Sequence, residues 1–275
     1  AYREFVASLT GMGQIFHAFI PYYGYLPTKG NRRRWEAIGT IKRVSTRLIA
    51  NRRSQVRTEK STVDLDDNLT ESRDLMTILI RSNEHVGTQE DGKLTDVELR
   101  DQVLTFVTAG HETTSVTFTW MLHILSINPE IQKRVRDELL AELGSPEAGK
   151  TPSYEALNAL PYLNACVKEL LRLIPPVPFT SRIAGQDDNI LGYDIPKGTT
   201  ILMSAAAMHR LKSVFGEDAD EFKPERWMDP ATLPDGLKTK TKFVTPDMHW
   251  AYQPFSMGPR NCIGSKFALI ETKIL

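Results

Sequence analysis

The chain has 275 residues, room for one large domain or two small ones, and its 41% hydrophobic content is enough for a core. Lysine plus arginine and aspartate plus glutamate balance at 34 each, so charge argues for neither a nucleic-acid partner nor an acidic one. Two cysteines, Cys166 and Cys262, exclude a disulfide scaffold and suit a reducing compartment, and no run of 18 apolar residues marks a membrane span.

Residues 1–20 read as a helix that ends before Pro21, with no signal peptide ahead of it. The chain opens on Ala1-Tyr2-Arg3-Glu4 and stops at Ile274-Leu275, both helix-like, so neither end reads as a natural terminus. Residues 21–30 (PYYGYLPTKG) form a turn-rich connector. A long basic helix follows over 31–60, with ten Lys/Arg against two Glu. Such a run is either a solvated face or a surface toward anionic lipid or a redox partner. Residues 61–70 read as a polar loop and 71–83 as a short helix.

Thr95-Asp96-Val97-Glu98 is a capping box, and the helix it opens runs to Ile127. One stripe reads Leu99, Val103, Phe106, Gly110, Thr113, Thr117, Trp120, Ile124, and other faces are apolar too, which predicts a helix buried nearly all round. Asn128-Pro129 stops it and caps the next helix, residues 129–143, which ends at Gly144. Another helix spans 161–174, between Pro161 and Pro175-Pro176, with Cys166 as packing. Strand-like pieces follow at 178–184, 189–195 and 199–206, with turns at Asp188-Asn189 and Pro196-Lys197-Gly198. Residues 207–254 are mostly irregular, and a helix starts near 264.

Three stretches break local rules. Ala109-Gly110-His111-Glu112-Thr113-Thr114-Ser115 puts small and polar residues in the middle of the long helix, where Gly costs about 1 kcal/mol relative to Ala. It is either a polar helix–helix contact or a functional site. His111-Glu112 begins a zinc-protease pattern, but Ser115 stands where the second histidine ligand belongs. Glu169 and Arg172 lie three apart among Leu170, Leu171 and Leu173, which suggests a buried ion pair in need of further partners, and Pro224-Glu225-Arg226-Trp227 supplies candidates. Phe255-Ser256-Met257-Gly258-Pro259-Arg260-Asn261-Cys262-Ile263-Gly264 offers one thiol between two glycines, with an arginine that favours the thiolate and an aromatic to cover it. It is either a thiolate ligand loop or a spare cysteine in a Gly-rich turn.

In this order, residues 109–115, 169–172, 224–227 and 255–264 resemble the cytochrome P-450 superfamily. The resemblance covers residues 1–275 as a single partial domain and implies a mainly α fold with a minor β part. It implies haem b (iron protoporphyrin IX) ligated by Cys262, with Phe255, Gly258, Arg260, Gly264, Ala109 and Gly110 around it. Glu112 and Thr113 take the proton-delivery roles. Glu169, Arg172 and Arg226 form a structural triad, in which Trp227 replaces the family's more frequent Phe. Arg182 and His209 lie where the family often has propionate-binding residues; each is otherwise a surface cation.

The activity implied is monooxygenation of a lipophilic small molecule: one atom of dioxygen enters the substrate and the other leaves as water. Electrons come from NADPH through a separate NADPH-cytochrome reductase, since Gly11-Met12-Gly13 lacks the third glycine and the strand of a nucleotide site. No nucleic-acid partner is expected. Full members are much longer, so membrane contact is expected through a front half beyond residue 1, at the cytoplasmic face of the endoplasmic reticulum. Two other readings stay open: a non-oxygenase haem-thiolate isomerase of the same fold, and an inactive piece unable to hold haem.

Overall fold

The computed structural model describes residues 20–62, 74–85, 93–145, 151–233 and 250–274. The helix expected over 1–20 lies outside them but for its last residue, as do the Gly11-Met12-Gly13 stretch and most of the loop expected over 61–70. The fold is mainly helical with a minor strand content. Contacts group the chain into two compact units, Ala1–Thr108 and Ala109–Leu275.

The first unit is built on α1 (Lys29–Thr62), α2 (Leu75–His85) and the opening turns of α3 (Asp96–Ile127). Ile49, Ile80, Leu99 and Val103 form its buried cluster, with Met76, Leu79 and Leu94 around it. The start of α3 is fixed twice. Glu98 Oε2 accepts from the Thr95 backbone N–H at 2.8 Å while Thr95 Oγ1 accepts from the Glu98 N–H at 3.2 Å. Those bonds hold the Glu98 carboxyl below the usual carboxylate range. Asn83 clamps the preceding strand of chain by exchanging two bonds with Leu94, at 3.0 and 2.7 Å. The outward side of α1 carries exposed Arg32, Arg33, Lys42, Arg43 and Arg47.

The second unit holds the rest of α3 with α4 (Pro129–Leu143), α5 (Tyr154–Asn158), α6 (Pro161–Leu173) and α9 (Ser265–Ile274). Its core gathers Met121, Val135, Leu157, Leu160, Leu163, Cys166, Val167 and Leu170. Helix α6 starts at a proline and its N-cap, Leu160, has no capping side chain. Glu138 of α4 does that work: its carboxylate oxygens accept from the Tyr162 and Leu163 backbone N–H groups at 2.7 and 2.8 Å. A negative charge on free N–H groups at a helix start suits both the bonds and the dipole.

Two expectations about α3 need correction. It is not buried all round: Val107 is 53% and Leu122 54% exposed, and burial follows one stripe through Leu99, Val103, Thr114, Thr117 and Met121. Periodicity shows how many faces are apolar, not how many find a neighbour. Asn128 does not cap α4. Its Nδ2 turns back and donates to the Ile124 carbonyl at 2.8 Å, closing the C-terminus of α3 instead.

Strands β1 (Thr180–Ile183) and β4 (Thr200–Met203) pair antiparallel, with Thr180 opposite Met203. Strands β2 (Asp188–Ile190) and β3 (Tyr193–Ile195) form a separate hairpin. The single strand expected at 189–195 is thus two, and its turn is Leu191-Gly192, with φ of 50° and 88°, not Asp188-Asn189. Positive φ at both central residues matches the twist of a two-residue hairpin. Short helices α7 (Ala205–Met208) and α8 (Lys212–Phe215) follow, then a 3₁₀ turn at Pro224–Trp227. Among the described residues no helix is long and apolar enough to cross a membrane.

Candidate active site around Cys262

Cys262 is exposed, whereas Cys166 is buried in α6. Burial, with the nearby Glu225 charge, pushes the Cys166 thiol well above its ordinary range, so it remains a neutral packing residue. Cys262 lies on a loop shaped by backbone geometry. Its N–H donates to the Phe255 carbonyl at 2.9 Å. Inside that closure Ser256 and Gly258 take φ of 61° and 76°. Glycine is free to adopt this region; serine does so at a cost, as residues in functional loops often do.

The loop opens on a cavity of about 230 Å³ whose walls include Thr113 and Thr114 of α3, Leu171, Val177, Arg260 and Cys262. A second cavity shares Thr180 and Ser256 with it and is lined by Arg182 and Met257. Between them the two cavities present a thiol and two cations, and the rest of their lining is apolar except for threonines, Ser256 and Gln253. Ala109 and Gly110 lie one turn before Thr113; a Cβ added at Gly110 would meet no neighbour within 4 Å. Glu112 is exposed and is not among the residues lining either cavity. Phe255 lines the cavity and packs against the unit's core, and Gly264 lies beside the thiol, where an added Cβ would stand 3.9 Å from Cys262 Sγ, an ordinary contact. Among the described residues no three His, Cys, Asp or Glu side chains gather to hold a metal ion.

Behind the loop sits a buried polar hub. Glu169 accepts five hydrogen bonds: from Arg172 Nε and Nη2 at 2.9 and 2.8 Å, Arg226 Nε at 3.0 Å, Trp227 Nε1 at 2.8 Å and the Lys223 N–H at 2.9 Å. Both arginines also donate to backbone carbonyls. Arg172 reaches those of His209, Ala219 and Glu221, and Arg226 those of Phe215 and Asp218. Asp218 adds a second anion 3.3 Å from Arg226. Burial alone would raise its carboxyl, but the Lys223 hydrogen bond and the Arg226 charge outweigh that and hold it low. Trp227 is thus a direct partner of Glu169, a bond that a Phe at this position lacks. The Glu225 carboxylate joins Arg134 and accepts from the Tyr162 hydroxyl at 3.3 Å, tying the same turn to α4.

His209 departs from the expected propionate role. It is 0% exposed, and the Gln253 N–H donates to its Nε2 at 2.8 Å. Nδ1 therefore carries the proton and donates to the Arg172 carbonyl at 3.0 Å. Neither nitrogen is left for a propionate. The ring instead fastens the segment before the thiol loop to the hub, and the Tyr252 hydroxyl adds a bond to the Lys168 carbonyl at 3.1 Å. Burial lowers the His209 pKa to about 4 from 6.5, against the pull of its bond to the Arg172 carbonyl. The unfolded chain then binds a proton that the folded one does not as pH falls below 6.5. Stability is whole above that pH and is lost toward pH 4, with about 2 kcal/mol gone by pH 5. Urea unfolding at about pH 7.5 and at pH 5 should show this drop, and His209→Gln should flatten it. An unchanged slope in the variant would assign the drop to other groups.

A family model described as Cytochrome P450 matches residues 2–275. Among curated proteins, the chain is 36% identical to Cytochrome P450 monooxygenase 205 of Postia placenta, over 100% of the chain and 51% of that protein. It is 35% identical to Secologanin synthase 1 of Catharanthus roseus, over 93% of the chain and 45% of that protein. Ganoderic acid synthetase CYP5150L8 of Ganoderma lucidum matches at 34% over 86% of the chain. The chain spans about half the length of the curated relatives it matches.

Proposed function

The chain belongs to the cytochrome P450 family, and from that premise we propose that the whole protein is a haem-thiolate monooxygenase acting on a lipophilic small molecule. The observation that carries this reading is the meeting of Cys262, Arg260 and Thr113 on one apolar cavity. The donor set fits iron protoporphyrin: a single accessible thiol for the iron, cations for two carboxylates, and apolar walls for a flat ring. Cys262 would ligate the iron. Arg260 and Arg182 would bind the propionates with charge-assisted hydrogen bonds. When bound, the haem supplies activation of dioxygen, and the thiolate ligand favours cleavage of its O–O bond.

The remaining work falls to this chain's own groups. Leu171, Pro176, Val177, Phe255 and Leu269 keep bulk water off the cavity wall and favour an apolar substrate. Thr113 donates its hydroxyl proton to the Ala109 carbonyl at 2.8 Å, so toward the cavity it offers lone pairs that can take a proton from water. Glu112, next to it and exposed, would bring protons in from solvent. Electrons are supplied by NADPH through a separate reductase. The full-length protein works at the cytoplasmic face of the endoplasmic reticulum, a placement supported by the motif resemblance alone.

The reduced full-length protein, given carbon monoxide, should show the long-wavelength Soret band of thiolate-ligated haem. A band at the position of histidine-ligated haem would refute the reading. Thr113→Ala should keep that band and lose roughly 10²-fold in productive turnover, since positioned proton transfer contributes ~10²–10⁴ in rate. Product formed per NADPH consumed is the measurement; unchanged coupling would remove Thr113 from proton delivery.

A further inference from the structure

The chain has eight methionines, and three of them, Met203, Met208 and Met257, line one cavity of about 230 Å³. They come from three elements. Met203 ends β4, Met208 ends α7, and Met257 stands in the thiol loop directly before Gly258. This cavity shares Thr180 and Ser256 with the one that Cys262 lines, so the two adjoin.

Methionine is most often a flexible filler of apolar gaps. Met121 and Met228 have that role in the core of this unit, and Met76 has it in the other. Neither core cluster includes Met203, Met208 or Met257. Met203 is 36% exposed, and Met208 and Met257 are half-buried. A strand, a short helix and a loop thus converge to put three thioethers on one cavity wall, where leucine would supply the same bulk. What a thioether adds over leucine is a soft, nucleophilic sulfur that takes up an oxygen atom. The adjoining site supplies the oxidant: a monooxygenase with no substrate in place reduces dioxygen by two electrons to hydrogen peroxide. Arg182, Thr180 and Gln253 line the same cavity and offer that small polar molecule hydrogen-bond partners.

We propose that Met203, Met208 and Met257 are internal oxygen acceptors, modified by peroxide released beside Cys262; the inference rests on the proposed function. A methionine sulfur attacks one peroxide oxygen. The O–O bond breaks and an S–O bond forms. Sulfur is oxidised by two electrons, and the second peroxide oxygen leaves as water with both protons. The product is methionine sulfoxide, whose oxygen accepts hydrogen bonds in a cavity that Arg182 also lines. Sulfoxide reductases reverse the change, so the wall is renewable.

The test turns over the haem-loaded full-length protein with NADPH and reductase, without substrate and with catalase in excess. Catalase destroys peroxide that reaches solvent, so only methionines met on the way out react. Peptide mass spectrometry reads the gain of one oxygen atom at each methionine. Exposure alone would oxidise Met76 and Met228, both half-buried, as much as Met208 and Met257. Sulfoxide at Met208 and Met257, with Met76 and Met228 left at the level of a sample without NADPH, supports the proposal. Equal oxidation at Met76 and Met228, or no NADPH-dependent sulfoxide at Met208 or Met257, overturns it. A normal thiolate band without that oxidation refutes this inference alone, whereas a protein without the band refutes the proposed function.

Discussion

Cys262→Ala in the full-length protein abolishes the thiolate band of the reduced carbon monoxide complex, and Cys166→Ala leaves it intact. The two cysteines differ in every respect that decides ligation. Cys262 is exposed at the rim of the cavity, on a loop closed by its own N–H bond to Phe255. Cys166 is 0% exposed in the core, and burial keeps its thiol protonated. A metal takes the thiolate and not the thiol. The loss should be complete, because no other described thiol can take over. The alanine at 166 removes one buried sulfur and should cost stability alone, on the order of 1–2 kcal/mol. A normal thiolate band in the Cys262 variant, or loss of the band in the Cys166 variant, would reverse the assignment.

Glu169→Ala should prevent folding or haem incorporation and not merely slow turnover. Both arginines beside it are fully buried. Removing the carboxylate takes away the anion that both arginines share, with Asp218 left 3.3 Å from Arg226, at a cost of about 3–5 kcal/mol. That is a large part of the roughly 5–15 kcal/mol that holds a domain together. Soluble yield and haem content per polypeptide are the measurements. A soluble Ala variant with full haem and reduced turnover would move Glu169 from the framework to the chemistry. Glu169→Gln tests charge against shape: it retains one acceptor oxygen and should recover part of the yield.

Much of this framework was legible because it is local. The capping box at Thr95 and Glu98, the span of α3 and the proline start of α6 follow from neighbours three or four residues apart, and the structure has them as read. The Glu169–Arg172 pair was legible for the same reason, and Arg226 through resemblance. What was hidden depends on partners far along the chain. Nothing near His209 says that its two nitrogens meet Arg172 and Gln253, 37 and 44 residues away. Nothing near Glu138 says that it closes a helix start 24 residues on. The Leu191-Gly192 turn was missed because leucine at positive φ has no compositional signal.

The hub at Glu169 also sets a timetable for synthesis. Arg172 leaves the ribosome almost together with Glu169, but Trp227, the last of its partners, lies 58 residues later. At translation speeds of about 5–20 residues per second, that gap lasts roughly 3–12 s. Throughout it, α6 has an apolar surface and a half-satisfied carboxylate, and the carbonyls that will anchor Arg172 do not yet exist. The helix at the centre of the finished core thus waits for partners made later, a natural point for a chaperone to hold the nascent chain. Slow codons placed after residue 227 would give the hub time to close; the same codons placed between 172 and 227 would lengthen the wait and lower the soluble yield.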